Sequence, residues 1–161
     1  MRIKEIQAGS KLVIVVKGMH GDGFSGNKQC IALAEQVDAS IFEYTESGAI
    51  TALIAERKPK TLVLIGYSAG VKTIMTVGKG TNPTLSIFIA GYPTTLLNGE
   101  AGVKGPYINY YQQRELDDLL AKYHGGGTYK PQGGRPQQVN VAHGDIVAAV
   151  TPAIVAQVRQ L

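Results

Sequence analysis

The chain has 161 residues, 44% of them hydrophobic and 17% charged, with a formal net charge of +4. That length suits a single domain over residues 1–161, with a core of about five or six strands between helices. Lysines and arginines stand in ones and twos, without a run, a helical stripe or interleaved aromatics, which argues against a nucleic-acid partner.

In chain order, a weak segment, Arg2–Gln7, precedes the first strong apolar run, Leu12–Val16. Lys17 ends that run well short of the about 7–15 residues of a signal-peptide core. No stretch approaches the about 20 apolar residues of a membrane span, so a cytoplasmic chain without a membrane span is expected. A Gly-rich loop, Gly18–Gly26, leads to a helical pattern at Cys30, Ala34 and Val37. Cys30 is the sole cysteine, which excludes an intramolecular disulfide and reads as a buried, inert thiol. Ile41–Tyr44 predicts a second strand, and Ile50, Leu53 and Ile54 a helix stopped by Pro59.

Leu62–Ile65 and Leu85–Ala90 are further apolar runs, and Val139–Ala142 predicts the last strand. These runs do not alternate with polar residues, as expected for strands covered on both faces. Leu116, Leu119, Leu120 and Tyr123 have helical spacing and meet Gly125–Gly127, which opens a second long loop reaching Pro136. Thr151 and Pro152 read as the cap and first position of a closing helix with Ile154, Val158 and Leu161. Strand and helix alternate throughout, which predicts an α/β fold with a doubly wound, mainly parallel sheet.

Chemistry concentrates at Gly66-Tyr67-Ser68-Ala69-Gly70, a G-x-S-x-G pattern that follows the strand Thr61–Ile65 and opens a helix. A sharp strand-to-helix turn lifts the Ser68 hydroxyl, and small flanking residues let the two elements approach. The helix start places the Ala69 amide beside a developing oxyanion. A serine nucleophile needs a base, and there are three histidines: His20, His124 and His143. His143 follows the predicted last strand, so a parallel sheet brings it to the same carboxyl edge as Ser68. His124 reads as a helix C-terminal cap and His20 as a loop residue.

From Leu12 to the C-terminus the chain resembles the α/β-hydrolase superfamily, in its small cap-less esterase- and lipase-like forms. The resemblance rests on the Ser68 motif, on His143-Gly144-Asp145-Ile146 running into a C-terminal helix, on Lys17-Gly18-Met19, and more loosely on Tyr107–Gln112. It implies a serine esterase in a minimal version of that fold. Ser68 would be the nucleophile, His143 the general base, and the Met19 and Ala69 amides the oxyanion donors. The substrate would be a small-molecule ester, with no cofactor and no metal. Leu85–Ala90 ends in Gly91-Tyr92-Pro93, without the carboxylate the family places after a strand there. Asn109, accepting the Nδ1 proton of His143, and Asp145, folding back onto it, are the candidate substitutes; a turn role for Asn109, backbone bonding by Asp145 and a Ser68–His143 dyad without an acid are the alternatives. Glu100, Asp117 and Asp118 read as solvated.

Two other readings compete. Gly21-Asp22-Gly23-Phe24-Ser25-Gly26-Asn27-Lys28 approaches a phosphate-binding loop, but Asn27 separates Gly26 from Lys28 and Gln29 replaces the hydroxyl. The unassigned acid suits a hydrolase fold turned to binding or assembly. Phe24, Tyr67 and Tyr92 are candidate apolar walls of a site, and Lys72 a candidate anion contact.

Overall fold

A computed structural model describes residues 10–92, 100–112 and 133–161. Strand β1 (Lys11–Val16) leads to helix α1 (Ser25–Gln36), β2 (Ser40–Phe42) and α2 (Ser47–Arg57). Then come β3 (Thr61–Tyr67), α3 (Ala69–Lys79) and β4 (Leu85–Ile89). A short 3-10 turn (Glu100–Gly102), β5 (Tyr107–Tyr111), β6 (Arg135–Gln138) and α4 (Ile146–Arg159) complete the described chain.

The strands form one six-stranded sheet in the order β2-β1-β3-β4-β5-β6, and every pair is parallel. The doubly wound fold expected from the sequence is therefore observed. Continuous apolar runs serve here because each strand feeds two cores through the alternation of its side chains. Val13, Val15, Val63, Ile65 and Tyr67 pack with Cys30 and Leu33 of α1 and Ile146, Val150 and Ile154 of α4. Ile14, Val16, Leu62 and Leu64 pack on the other face with Ile50 of α2 and Val71 and Ile74 of α3. Each fully buried side chain of this size contributes about 1.5–3 kcal/mol.

Chain direction across the sheet reverses between β1 and β3. Their carboxyl ends therefore diverge into the crevice where ligands of such sheets are held. Gly18 and Ser68 lie at those two ends.

Three expectations need correction. The last strand is Arg135–Gln138 rather than Val139–Ala142. Its four residues are all exposed at the end of the sheet, where polar residues and Pro136 are tolerated, so it carries no apolar run. Val139 and Val141 instead lean on the core beneath α1 and α4. The closing helix starts at Ile146, so Pro152 lies inside it and Thr151 is not its cap. The Thr151 hydroxyl donates to the Val147 carbonyl at 2.7 Å. The second strand covers only Ser40–Phe42, and Ile41 is exposed. Arg2–Gln7, the helix read around Leu116, His124, Asp117 and Asp118 lie outside the described residues. No helix among the described residues is long and apolar enough to cross a membrane.

Cys30 sits in the α1 core at 1% exposure, and burial pushes its thiol up to about 12 against a smaller opposing pull from Lys17. Ellman's reagent at about pH 8 should therefore leave the folded protein untouched and titrate one thiol after unfolding in guanidinium. Stoichiometric reaction of the folded chain within minutes would contradict this burial.

Candidate active site

The turn after β3 is tight. A Cβ on Gly66 would lie 2.6 Å from the Gly70 carbonyl oxygen, and one on Gly70 would lie 2.8 Å from that of Lys17. Only glycine lets α3 cross this close to the ends of β3 and β1. Between them Ser68 adopts φ 54° and ψ −118°, a backbone conformation that a residue with a side chain holds only when its surroundings impose it. Its amide donates to the Ile89 carbonyl at 2.9 Å, which ties the turn to the end of β4. Ala69 is the first residue of α3, so its N–H has no role inside the helix and stands at the positive end of the helix dipole. The sequence predicts an exposed hydroxyl; Ser68 is 4% exposed.

His143 occupies the connection between β6 and α4, and its Nε2 stands 3.1 Å from Ser68 Oγ. Its Nδ1 stands 3.2 Å from Gln112 Oε1. The Gln112 amide is itself oriented, because its Nε2 donates to the Val141 carbonyl at 2.5 Å. The arrangement suits a neutral imidazole that donates from Nδ1 and accepts the serine proton at Nε2. The His143 carbonyl accepts from the Tyr67 hydroxyl at 2.8 Å, with the two rings 5.1 Å apart. Next to it, the Gly144 carbonyl accepts from Gln29 Nε2 at 2.7 Å and Ser25 Oγ at 3.1 Å. Gln29 Oε1 accepts from the Ala148 amide at 2.8 Å, which satisfies a first-turn N–H of α4 from across the fold.

The residues expected to orient His143 stand elsewhere. Asn109 is fully buried in β5 and its amide donates to Glu100 Oε1 at 3.3 Å. Asp145 is exposed at the start of α4 and makes no side-chain capping bond. Gln112, one residue past β5, takes the position instead. Glu100, expected in solvent, is 3% exposed and also accepts from the Tyr107 hydroxyl at 3.3 Å. Burial first, then the Glu100 charge and hydrogen bond, pushes Tyr107 up to about 12.

The loop after β1 faces the turn. A Cβ on Gly18 would lie 3.1 Å from Ser68 Cβ, so Gly18 packs directly on the serine. Asn27, fully buried, accepts from the Gly18 amide at 2.9 Å. Its Nδ2 donates to the carbonyls of Gly18, Met19 and Gly21 at 3.0, 3.1 and 2.8 Å. The Tyr92 hydroxyl reaches Met19 Sδ at 3.9 Å. Asp22 and Glu43 pair with the ammonium of Lys17, the latter at 2.6 Å, and Lys17 is only 5% exposed. In the segment read as a near-miss phosphate loop, Asn27 thus points into the fold, while Asp22 stays exposed and pairs with Lys17. Tyr67 is a buried strut rather than a pocket wall; His20 and Lys72 are exposed. Among the described residues no group of three or more His, Cys, Asp or Glu could hold a metal ion.

Sequence reasoning missed Gln112, Asn27 and Gln29. Only Gln112 had a legible signal: it is the first residue beyond an apolar strand, at the sheet edge where Ser68 lies.

No family model and no curated protein matches the chain. Its shape is similar to solved structures. One is an α/β-superfamily hydrolase from Xanthomonas campestris pv. campestris (13% identity, 95% of this chain and 99% of the other, TM-score 0.64). Another is an esterase domain from Rhodothermus marinus (10% identity, 96% and 88%, TM-score 0.62). A third is a dienelactone hydrolase from Anabaena variabilis (11% identity, 96% and 88%, TM-score 0.62). These likenesses establish the α/β-hydrolase fold, in a version with six strands.

Burial works to lower the Lys17 pKa, but Asp22 and Glu43 outweigh it and hold the ammonium above its ordinary 10.5. A folded-state value above the unfolded one contributes stability that is complete below the unfolded pKa and lost as pH rises through the folded one. The advantage of wild type over Lys17→Met in urea unfolding should therefore hold level up to the ordinary lysine value of 10.5 and shrink as pH rises above it. A difference that stayed constant above that value would show that the charge of Lys17 is not what stabilises the loop.

Proposed function

We propose, from the α/β-hydrolase fold and the pairing of Ser68 with His143, that the chain is a serine hydrolase acting on small carboxylic esters. The carrying observation is the 3.1 Å contact between Ser68 Oγ and His143 Nε2, at a strained turn that opens a helix. In this reading Ser68 Oγ bonds to the acyl carbon while its proton passes to Nε2, and the carbonyl π electrons move to oxygen. The amides of Ala69 and Met19 receive that oxyanion. Collapse breaks the carbon–oxygen bond to the alcohol, which leaves with the proton from Nε2. Water then adds to the acyl-enzyme by the same route, releasing the carboxylic acid and returning a proton to Ser68. Gln112 holds the imidazole in the tautomer that leaves Nε2 free to accept.

The 4% exposure of Ser68 favours a second reading, a fold retained for binding rather than turnover. A fluorophosphonate probe separates the two. On the enzyme reading it labels Ser68, and hydrolysis of p-nitrophenyl acetate falls by about three orders of magnitude or more in folded Ser68→Ala and His143→Ala variants. An unlabelled wild type whose hydrolysis is unchanged in Ser68→Ala would leave the binding reading in place. Gln112→Ala should lower kcat by about tenfold or more with KM little changed, and Gln112→Glu, which keeps an acceptor there, should recover most of the loss. Full activity in Gln112→Ala would remove that residue from the mechanism.

A further inference from the structure

We infer that Asn27 is a positioning residue for oxyanion stabilisation: it turns the Gly18–Met19 peptide so that the Met19 N–H faces the reacting carbonyl above Ser68. The inference rests on the Ser68 reading above.

The Asn27 side chain is fully buried and its amide is spent on one loop. Oδ1 takes the Gly18 N–H, and Nδ2 gathers the carbonyls of Gly18, Met19 and Gly21. A trans peptide is planar, and its C=O and N–H point in opposite directions. With the Gly18 carbonyl drawn toward Asn27 Nδ2, the N–H of the same peptide, that of Met19, must point away from Asn27. Gly18 lies against Ser68 Cβ and Tyr67 Cδ1, so this peptide stands directly beside the nucleophile. The Met19 carbonyl is also held by Asn27, which keeps the following peptide from turning its oxygen into the same space. A free loop of this composition would sample both peptide orientations, and one of them presents a carbonyl oxygen to an oxyanion.

The residue lies in the segment whose glycines suggested phosphate binding, and it accounts for one of them: Gly21 takes φ 70° to return its carbonyl to Nδ2. Beyond it, Asp22 is fastened by Lys17. Asn27 touches neither Ser68 nor His143 in these contacts, so its influence on the reaction passes through the loop.

Asn27→Asp tests the assignment because it keeps the size and the acceptor for Gly18 N–H but loses the donor to three carbonyls. Rates are expressed per fluorophosphonate-titrated site. In folded Asn27→Asp, kcat for p-nitrophenyl acetate should fall by about 100-fold while KM stays within about threefold. Affinity for a trifluoromethyl ketone, whose adduct carries the oxyanion, should fall by a similar factor, and the pH profile should keep its shape. A structural defect alone would lower the titrated fraction and leave these ratios alone. In wild type, the Met19 amide proton should move downfield in the NMR spectrum when the ketone adduct forms, a measurement that needs no variant. A labelled wild type with kcat of Asn27→Asp within about twofold, or with no shift at Met19, overturns this assignment and leaves the Ser68 reading intact. A wild type that takes no label overturns both.

Discussion

The site is gathered around one buried phenol ring. Tyr67, the last residue of β3, is 1% exposed, and its ring is the surface on which three separate segments close. Gly26 in the first turn of α1 comes so near that a Cβ there would lie 2.6 Å from Cε1, and Gly18 in the loop after β1 allows only 3.2 Å to Cδ1. On the remaining side the His143 ring packs against it, and the hydroxyl takes the His143 carbonyl. Gly26 is therefore demanded by the ring rather than by a turn, and Gly18 is favoured by the ring together with Ser68 Cβ. A phenol serves where phenylalanine would not, because burying the His143 carbonyl without a donor costs about 1–3 kcal/mol.

At this edge of the sheet lie three of the seven buried polar or charged side chains among the described residues. Asn27, Lys17 and Ser68 are all at most 5% exposed and lie at the carboxyl ends of β1 and β3 or on the helix facing them. Such groups are stable only when their hydrogen bonds are made, and once made they hold one geometry because every alternative leaves a polar atom unpaired. The same reasoning covers Glu100, which meets Asn109 and Tyr107 on β5. Rigidity at this edge comes from satisfied polar contacts, whereas elsewhere it comes from apolar packing.

What the sequence made legible follows from how local each signal is. β1, β3 and β4 were readable because both faces are covered and their residues are uniformly apolar, as in Leu62–Ile65. The Ser68 turn was readable because its requirements fall within five consecutive residues. His143 followed from chain order, since a parallel sheet returns successive strand ends to one edge. β6 was hidden because an exposed edge strand has no apolar face to report. Asn109 is a natural candidate because asparagine is familiar in this role, yet alternation along β5 puts it on the face of Tyr107 and Tyr111, which pack on the α2 and α3 side. Asn27 and Gln29 act on loops by contacts that no spacing announces. Gln29 in particular meets a carbonyl 115 residues away.

That distance has a bearing on when the molecule acquires its chemistry. The contacts between Tyr67 and His143 and between Gln29 and Gly144 join chain segments 76 and 115 residues apart. Closing such long loops is slow relative to forming a helix or a neighbouring strand pair. The contact between Ser68 and His143, 75 residues apart, therefore requires the segment that enters α4 to be docked, so local loosening of α4 would separate the pair while β1 and β3 stayed joined.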